Sequence, residues 1–406
     1  MSQTTFIICS SSLTMKKDAT LSEFDIHGHC DERFSSVKEA FADNFTNRGD
    51  VGASFAATID GRFIIDVWAG YADAGRTLPW ERDTLACLYS TTKAMTALCA
   101  LLLVDRGQLD LDAPVARYWP EFAQADKEDI PLRYLLSHQS GLAWFDERIP
   151  VEALFDWNRI VSLLAAQKPS WAPGTRCGYH ALTQGFLVGE VVRRITNKTV
   201  AAFFREEIAE PLRADCHIGL AQTDDSRVAE MIPPPMWQPG DPHYVVSGSL
   251  PELSQKSMYP LIDQDNPVIV SRSRGWRAAE IPSANGYGNA HSIARIASML
   301  ACGEVDGVRL LTVPTIDKAF QAQCHGTDLV LKLPIRWALG FALVSEDMPF
   351  APNPRALFMG GGGGSAVVID RDARLSLAYV MNNCIASATE GDDRAPSLVR
   401  ALYAVL

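Results

Sequence analysis

The chain is poor in the features that mark several large protein classes. Its nine cysteines are odd in number and include no C-x-x-C pair, which argues against a disulfide framework or a zinc ribbon and for reduced, mostly buried thiols. Basic charge is in deficit: a net charge of -11 and a pI near 5.2 argue against nucleic-acid partners and an anionic membrane surface. No apolar run approaches transmembrane length. Phe6-Ile7-Ile8-Cys9 is too short for a signal-peptide core and lacks a basic lead-in, so a cytoplasmic location is expected. Met15-Lys16-Lys17 offers an alternative start, which would leave residues 1–14 without fold information. No G-K-[ST] follows the Gly360 to Gly364 run, excluding a phosphate loop, and no G-x-S-x-G supports a nucleophile elbow. What remains is small-molecule chemistry in a compact chain of 406 residues, 47% hydrophobic and 21% charged.

The most informative stretch present is Ser90-Thr91-Thr92-Lys93, at the mouth of an apolar helix carrying Met95, Leu98, Leu101, Leu102 and Val104 and stopped by Gly107. Residues three apart share a helix face, so the Lys93 amine can reach the Ser90 hydroxyl and, if held neutral by burial, take its proton. A serine at a helix start also lies near free backbone N–H groups able to hold an oxyanion. The bland alternative is an N-cap serine and a surface lysine. The same spacing recurs at Ser35-Ser36-Val37-Lys38, where Val37, Phe41 and Phe45 make a single stripe, as on a surface helix with a solvated lysine. Ser90 differs in following two strand-like runs, Val51 to Ile59 and Arg62 to Ala69, joined by an Asp60-Gly61 hairpin signal.

Strand signals gather at the two ends of the chain. Near the finish they are Trp337 to Val344, Ser365 to Asp370 and Leu375 to Asn382, followed by a helix from Ala395 to Val405. From Leu109 to Ala290 the pattern is helix and loop, with helix-like runs at Val151 to Ala166, Ala181 to Ile195 and Val200 to Ile208. The expected architecture is α+β: an antiparallel sheet flanked by helices, from residues 1–108 and 286–406, and an all-helical or mainly helical domain from 109–285, with a cleft between them. Met231 to Pro242, with five prolines, and Tyr244 to Ala284 read either as loops that shape the pocket or as plain surface connections.

Acyl transfer through a serine needs a group to return the proton to the leaving alcohol. Tyr179 is the candidate, placed where Pro173 and Gly174 hand over to a helix; a cation such as Lys93 would have to favour its phenolate, and an ordinary half-buried tyrosine is the alternative. Met359-Gly360-Gly361-Gly362-Gly363-Gly364-Ser365 leads into a strand and could bring a second oxyanion N–H close to Ser90, or simply be a flexible turn. Asp25, His27, His29 and Cys30 cluster, but no second ligand group has matching spacing, so a polar loop is expected and no metal. His138 reads as structural, closing a helix at a tight turn.

In this order, Ser90 to Lys93, then Tyr179-His180-Ala181, then the glycine run before a late strand, the motifs resemble the serine hydrolases of the class C β-lactamase type, and most of all the bacterial family VIII carboxylesterases. Pro79 to Thr84, Tyr118 to Phe122 and Leu135 to Leu142 extend the resemblance over nearly the whole chain. It implies a β-lactamase/penicillin-binding-protein-like fold, Ser90 as acylated nucleophile, Lys93 as general base, Tyr179 as proton relay, and the backbone N–H groups of Ser90 and Gly362 as oxyanion hole. His180, Met359, Gly360 and Gly361 would border the substrate. β-Lactamases of this type carry asparagine and lysine where this chain has Ala181 and Met359. Loss of a charge-assisted bond of about 1.5–3 kcal/mol disfavours carboxylate-bearing substrates and favours neutral esters.

The expected function is a cofactor-free carboxylesterase acting on short-chain or compact small-molecule esters, with no nucleic-acid or membrane partner. A β-lactamase or D-amino-acid peptidase, an acyltransferase, and a non-catalytic protein of the penicillin-recognising fold are the alternatives.

Overall fold

Asp60 and Gly61, at φ 52° and 76°, turn the chain through the expected hairpin between the first two long strands. The computed structural model describes residues 25–234, 252–258, 267–385 and 392–406. The hairpin belongs to a nine-stranded sheet whose spatial order is β1 (His27–Cys30), β3 (Arg62–Gly70), β2 (Gly52–Ile59), β12 (Leu375–Met381), β11 (Ala366–Asp370), β10 (Leu357–Gly360), β9 (Ala342–Leu343), β8 (Pro334–Trp337) and β7 (Cys324–Thr327). Every neighbouring pair is antiparallel. The two ends of the chain thus meet at its centre, where β2 pairs with β12 from Ile59↔Leu375 to Ala53↔Met381.

Alternation along β12 divides the layers. Ser376 donates to the Ala294 carbonyl of the helix Ala290–Cys302, so Ser376, Ala378 and Val380 face that helix, while Tyr379 points the other way to Asp50 beneath the helix Arg394–Tyr403. The last helix packs on the helix Ser35–Asn47, whose buried face is Val37, Phe41, Asn44 and Phe45. Lys38 on that helix is exposed, as expected of the second serine–lysine spacing.

Several elements depart from the sequence reading. The single strand expected over Trp337 to Val344 is a hairpin of β8 and β9, because Gly340 at φ 82° lets the chain reverse and press against Ala97. Val151 to Ala166 is broken: a 3-10 turn spans Val151–Phe155, and Asp156 then caps a new helix, Trp157–Ala166, by accepting from the Arg159 N–H at 3.1 Å. The helix starting at Val200 widens into a π-helical turn over Arg205–Ala209. The central stretch is not all-helical. Within it β5 (Cys216–Ile218) pairs with β6 (Gly286–Gly288), which pairs with β4 (Ala86–Cys87) in a three-stranded antiparallel sheet. The expected polar loop at His27 to Cys30 is the edge strand β1.

Parts of the proline-rich and poorly periodic segments, 235–251 and 259–266, and the alternative start with residues 1–14 lie outside the described residues. The eight cysteines among the described residues are free thiols, and no helix there is long and apolar enough to cross a membrane.

Candidate active site

Strand β4 delivers the chain to Ser90, and its partner β6 fixes the approach: the Leu88 N–H donates to Gly286 O at 2.8 Å, and the Gly286 N–H to Thr92 Oγ1 at 2.8 Å. Tyr89 takes the left-handed conformation at φ 44°, rare for a bulky residue, and the strain is absorbed by this framework. Ser90 is half-buried, two residues ahead of the helix Thr92–Asp105, which is buried from Thr92 to Leu103. Among the described residues, nothing accepts the Ser90 backbone N–H.

Lys93 is fully buried and meets no carboxylate among the described residues. Its Nζ lies 2.7 Å from Ala181 O, 3.0 Å from Ser283 O and 3.3 Å from Ser90 Oγ. Burial pushes the amine well below the usual lysine value of 10.5. A neutral amine has two N–H groups and one lone pair. The two carbonyls take the N–H groups, and the lone pair is left for the Ser90 hydroxyl, the arrangement of a base beside its nucleophile.

Tyr179 completes the group. Its phenol lies beside the Ser90 side chain, close enough for that hydroxyl to act on its titration, and Lys93 Nζ lies 4.8 Å from its ring centroid. Burial raises the phenol above its ordinary pKa of 10.0, with the Ser90 hydroxyl opposing. The cation that the sequence reading asked of Lys93 is disfavoured by the same burial, and the raised pKa of Tyr179 favours the phenol over the phenolate.

The glycine run lies against the same segment. Thr91 Oγ1 and Ser365 Oγ are 3.0 Å apart, and Ser365 donates to Leu88 O at 2.9 Å. Any side chain on Gly361 would collide with the Leu88 carbonyl, so only glycine lets the run approach this closely. Gly361 is turned inward while Gly360 and Gly362 are exposed, and nothing among the described residues accepts the Gly362 N–H.

A family model described as Beta-lactamase matches residues 41–396. The chain belongs to the β-lactamase family. It is 33% identical to the Esterase/beta-lactamase LipL of Mycobacterium tuberculosis over 89% of this chain and 83% of that one. Among solved structures it resembles a family VIII carboxylesterase, with 39% identity, a TM-score of 0.86, and coverage of 94% of this chain and all of that one. A penicillin-binding protein homologue from Caulobacter crescentus follows at 36% identity and a TM-score of 0.85, covering 94% of this chain and 100% of its own.

Within this β-lactamase-family site two expected substrate contacts are placed differently. His180 is fully buried, with Nε2 2.8 Å from Ser140 Oγ and Nδ1 2.6 Å from Gly178 O, so both ring nitrogens are spent inside the protein; it is a structural pin for the turn that carries Tyr179. Burial lowers its pKa to about 3. Met359, on β10, is 3% exposed and belongs to the core, opposite Val367. His138 is structural as expected. At φ 61° it closes the helix Arg133–Leu136, its Nδ1 accepts from the His180 N–H at 3.1 Å, and its ring packs on Tyr179.

Sequence reasoning missed three side chains behind the site: Asp328 and Trp337, which back Tyr179, and Arg394, whose guanidinium donates to the Gly363 carbonyl at 2.6 Å. No motif marks Asp328 or Arg394, and Trp337 is legible only as the start of a strand signal. Among the described residues no group of three or more His, Cys, Asp or Glu side chains is placed to hold a metal ion.

Proposed function

We propose that this β-lactamase-family protein is a serine carboxylesterase that hydrolyses compact, short-chain esters through an acyl-Ser90 intermediate. The observation that carries this reading is the setting of Lys93, whose N–H groups are taken by Ala181 and Ser283 so that its lone pair addresses Ser90.

Ser90 Oγ attacks the ester carbonyl as its proton passes to Lys93 Nζ. The carbonyl oxygen, now negative, is received by the N–H groups of Ser90 and Gly362. As the intermediate collapses, the Tyr179 phenol gives its proton to the departing alkoxide and recovers one from Lys93, restoring both neutral groups. A water molecule then repeats the sequence on the acyl-enzyme, losing its proton to the same pair and releasing the acid. The names of LipL and the family VIII carboxylesterase support the choice of ester as substrate.

The words "beta-lactamase" in LipL's name and "penicillin-binding" in the Caulobacter protein's favour β-lactam acylation as a second reading. Against it stands apolar, buried Met359 in place of a lysine that would meet a carboxylate.

Intact-mass measurement after incubation with esters and β-lactams tests both. Acyl adducts on Ser90 from esters, absent in Ser90→Ala, are expected. Adducts that persist in Ser90→Ala, or that form only from β-lactams, would overturn the esterase assignment.

A further inference from the structure

Asp328, in the loop after β7, carries a carboxylate that is 0% exposed and forms no ion pair among the described residues. Burying such a group without a cation is costly unless hydrogen bonds replace the lost water. Four N–H groups do so. Oδ1 accepts from the backbone N–H groups of Tyr179, Val330 and Leu331, each at 2.9 Å, and Oδ2 from the indole Nε1 of Trp337 at 3.0 Å.

Two of these donors lead to the same phenol. One is the backbone of Tyr179 itself. The other is Trp337, whose ring stacks on the Tyr179 ring with centroids 5.7 Å apart and planes 10° from parallel. His138 packs beside this stack and touches both rings, 5.0 Å from Tyr179 and 4.4 Å from Trp337 between centroids. A tyrosine held only by its backbone can still swing its ring; one held at the backbone and against a fixed indole cannot.

Resting on the esterase reading above, we propose that Asp328 is a positioning residue that aims the Tyr179 phenol at Ser90 by gripping its main chain with one carboxylate oxygen and the stacked Trp337 indole with the other. Val330 and Leu331 tie the carboxylate to its own loop, so the grip has a rigid base. The negative charge has a second consequence. Burial first, and the Asp328 charge in addition, disfavour the phenolate, which keeps on Tyr179 the proton the leaving alcohol needs. A residue that serves proton delivery to a leaving group matters most where that group leaves badly.

The test compares an ethyl ester with a p-nitrophenyl ester of the same acyl chain, using kcat/KM, which reports acylation. The p-nitrophenolate leaves without protonation; ethoxide does not. Asp328→Asn keeps one oxygen for the backbone donors but sets an amide N–H against the indole N–H. It is expected to lower the ethyl-ester value by about tenfold to a hundredfold and the p-nitrophenyl value much less. Trp337→Phe keeps a ring to stack and removes only the donor to Oδ2, and a smaller change of the same selectivity is expected; it decides the question if Asp328→Asn does not fold. Equal losses on both esters, or no loss, in a folded variant would overturn the proposal while leaving the esterase assignment intact. A wild-type chain in which Ser90 is never acylated overturns both.

Discussion

Lys93 and Arg394 are both 0% exposed, yet their surroundings are opposites. Lys93 meets a hydroxyl and two carbonyls. Arg394 meets Asp50 at 2.9 Å and Asp392 at 2.7 Å, with the Gly363 and Asn383 carbonyls beside them. Burial acts against charge in both places. At Lys93 nothing opposes it and the amine's hold on its proton weakens; at Arg394 Tyr379, Asp392 and Asp50 outweigh it and hold the proton more firmly than in water. Counter-charge, rather than depth, therefore decides which buried cation can exchange a proton. Lys127 shows a milder case, with three carbonyls around its amine and a pKa lowered to about 8. The two sites are also neighbours in function, since Arg394 grips Gly363, the residue after the candidate oxyanion donor.

Giving Lys93 the permanence of Arg394 should produce the largest effect. A guanidinium does not release its proton, so Lys93→Arg should lower acylation by on the order of a thousandfold or more, and Lys93→Met equally. The burst of p-nitrophenolate in stopped flow measures this. Removing the cation from the other site should act on the fold first: Arg394→Met leaves two buried carboxylates uncompensated, at a cost of about 3–5 kcal/mol read by urea unfolding.

The contrast extends to pH. The folded pKa of Lys93 lies well below its unfolded value near 10.5, so between the two the unfolded chain binds the extra proton and wild-type stability rises with pH. On descending through that window the wild type loses stability relative to Lys93→Met, and the gap stops growing below the folded pKa; urea unfolding of the pair at several pH values reads it. Ester turnover should fall as pH drops through the same folded pKa, where the amine gains a proton. The smallest effect belongs to the second serine–lysine spacing. Ser35→Ala and Lys38→Ala, on an exposed helix face, should change stability by less than about 0.5 kcal/mol and leave the burst unaltered.

Much of the site was legible because it is local in sequence. Ser90 and Lys93 sit one helical turn apart, the Asp60-Gly61 signal marked the hairpin, and the turn before Tyr179 and the glycine run each carry their own punctuation. What could not be read depends on residues far apart in the chain. Asp328 is an isolated acid whose partners are at 179 and 337, and Arg394 pairs with Asp50 across 344 positions, so no spacing links them. The β5 strand was hidden by its length, three residues, too short for alternation to show. The burial of His180 follows from Ser140 and Gly178 meeting around its ring, a tertiary fact with no local trace.

The protonation state of Lys93 is the centre of the account, and nitrogen NMR of the lysine side chains observes it directly, with the Lys93 signal assigned by its loss in Lys93→Met. A neutral amine signal from Lys93 at a pH where the exposed lysines are still ammonium, converting to ammonium only as the pH is lowered further, is predicted. An ammonium signal from Lys93 that survives to pH 10 would contradict it.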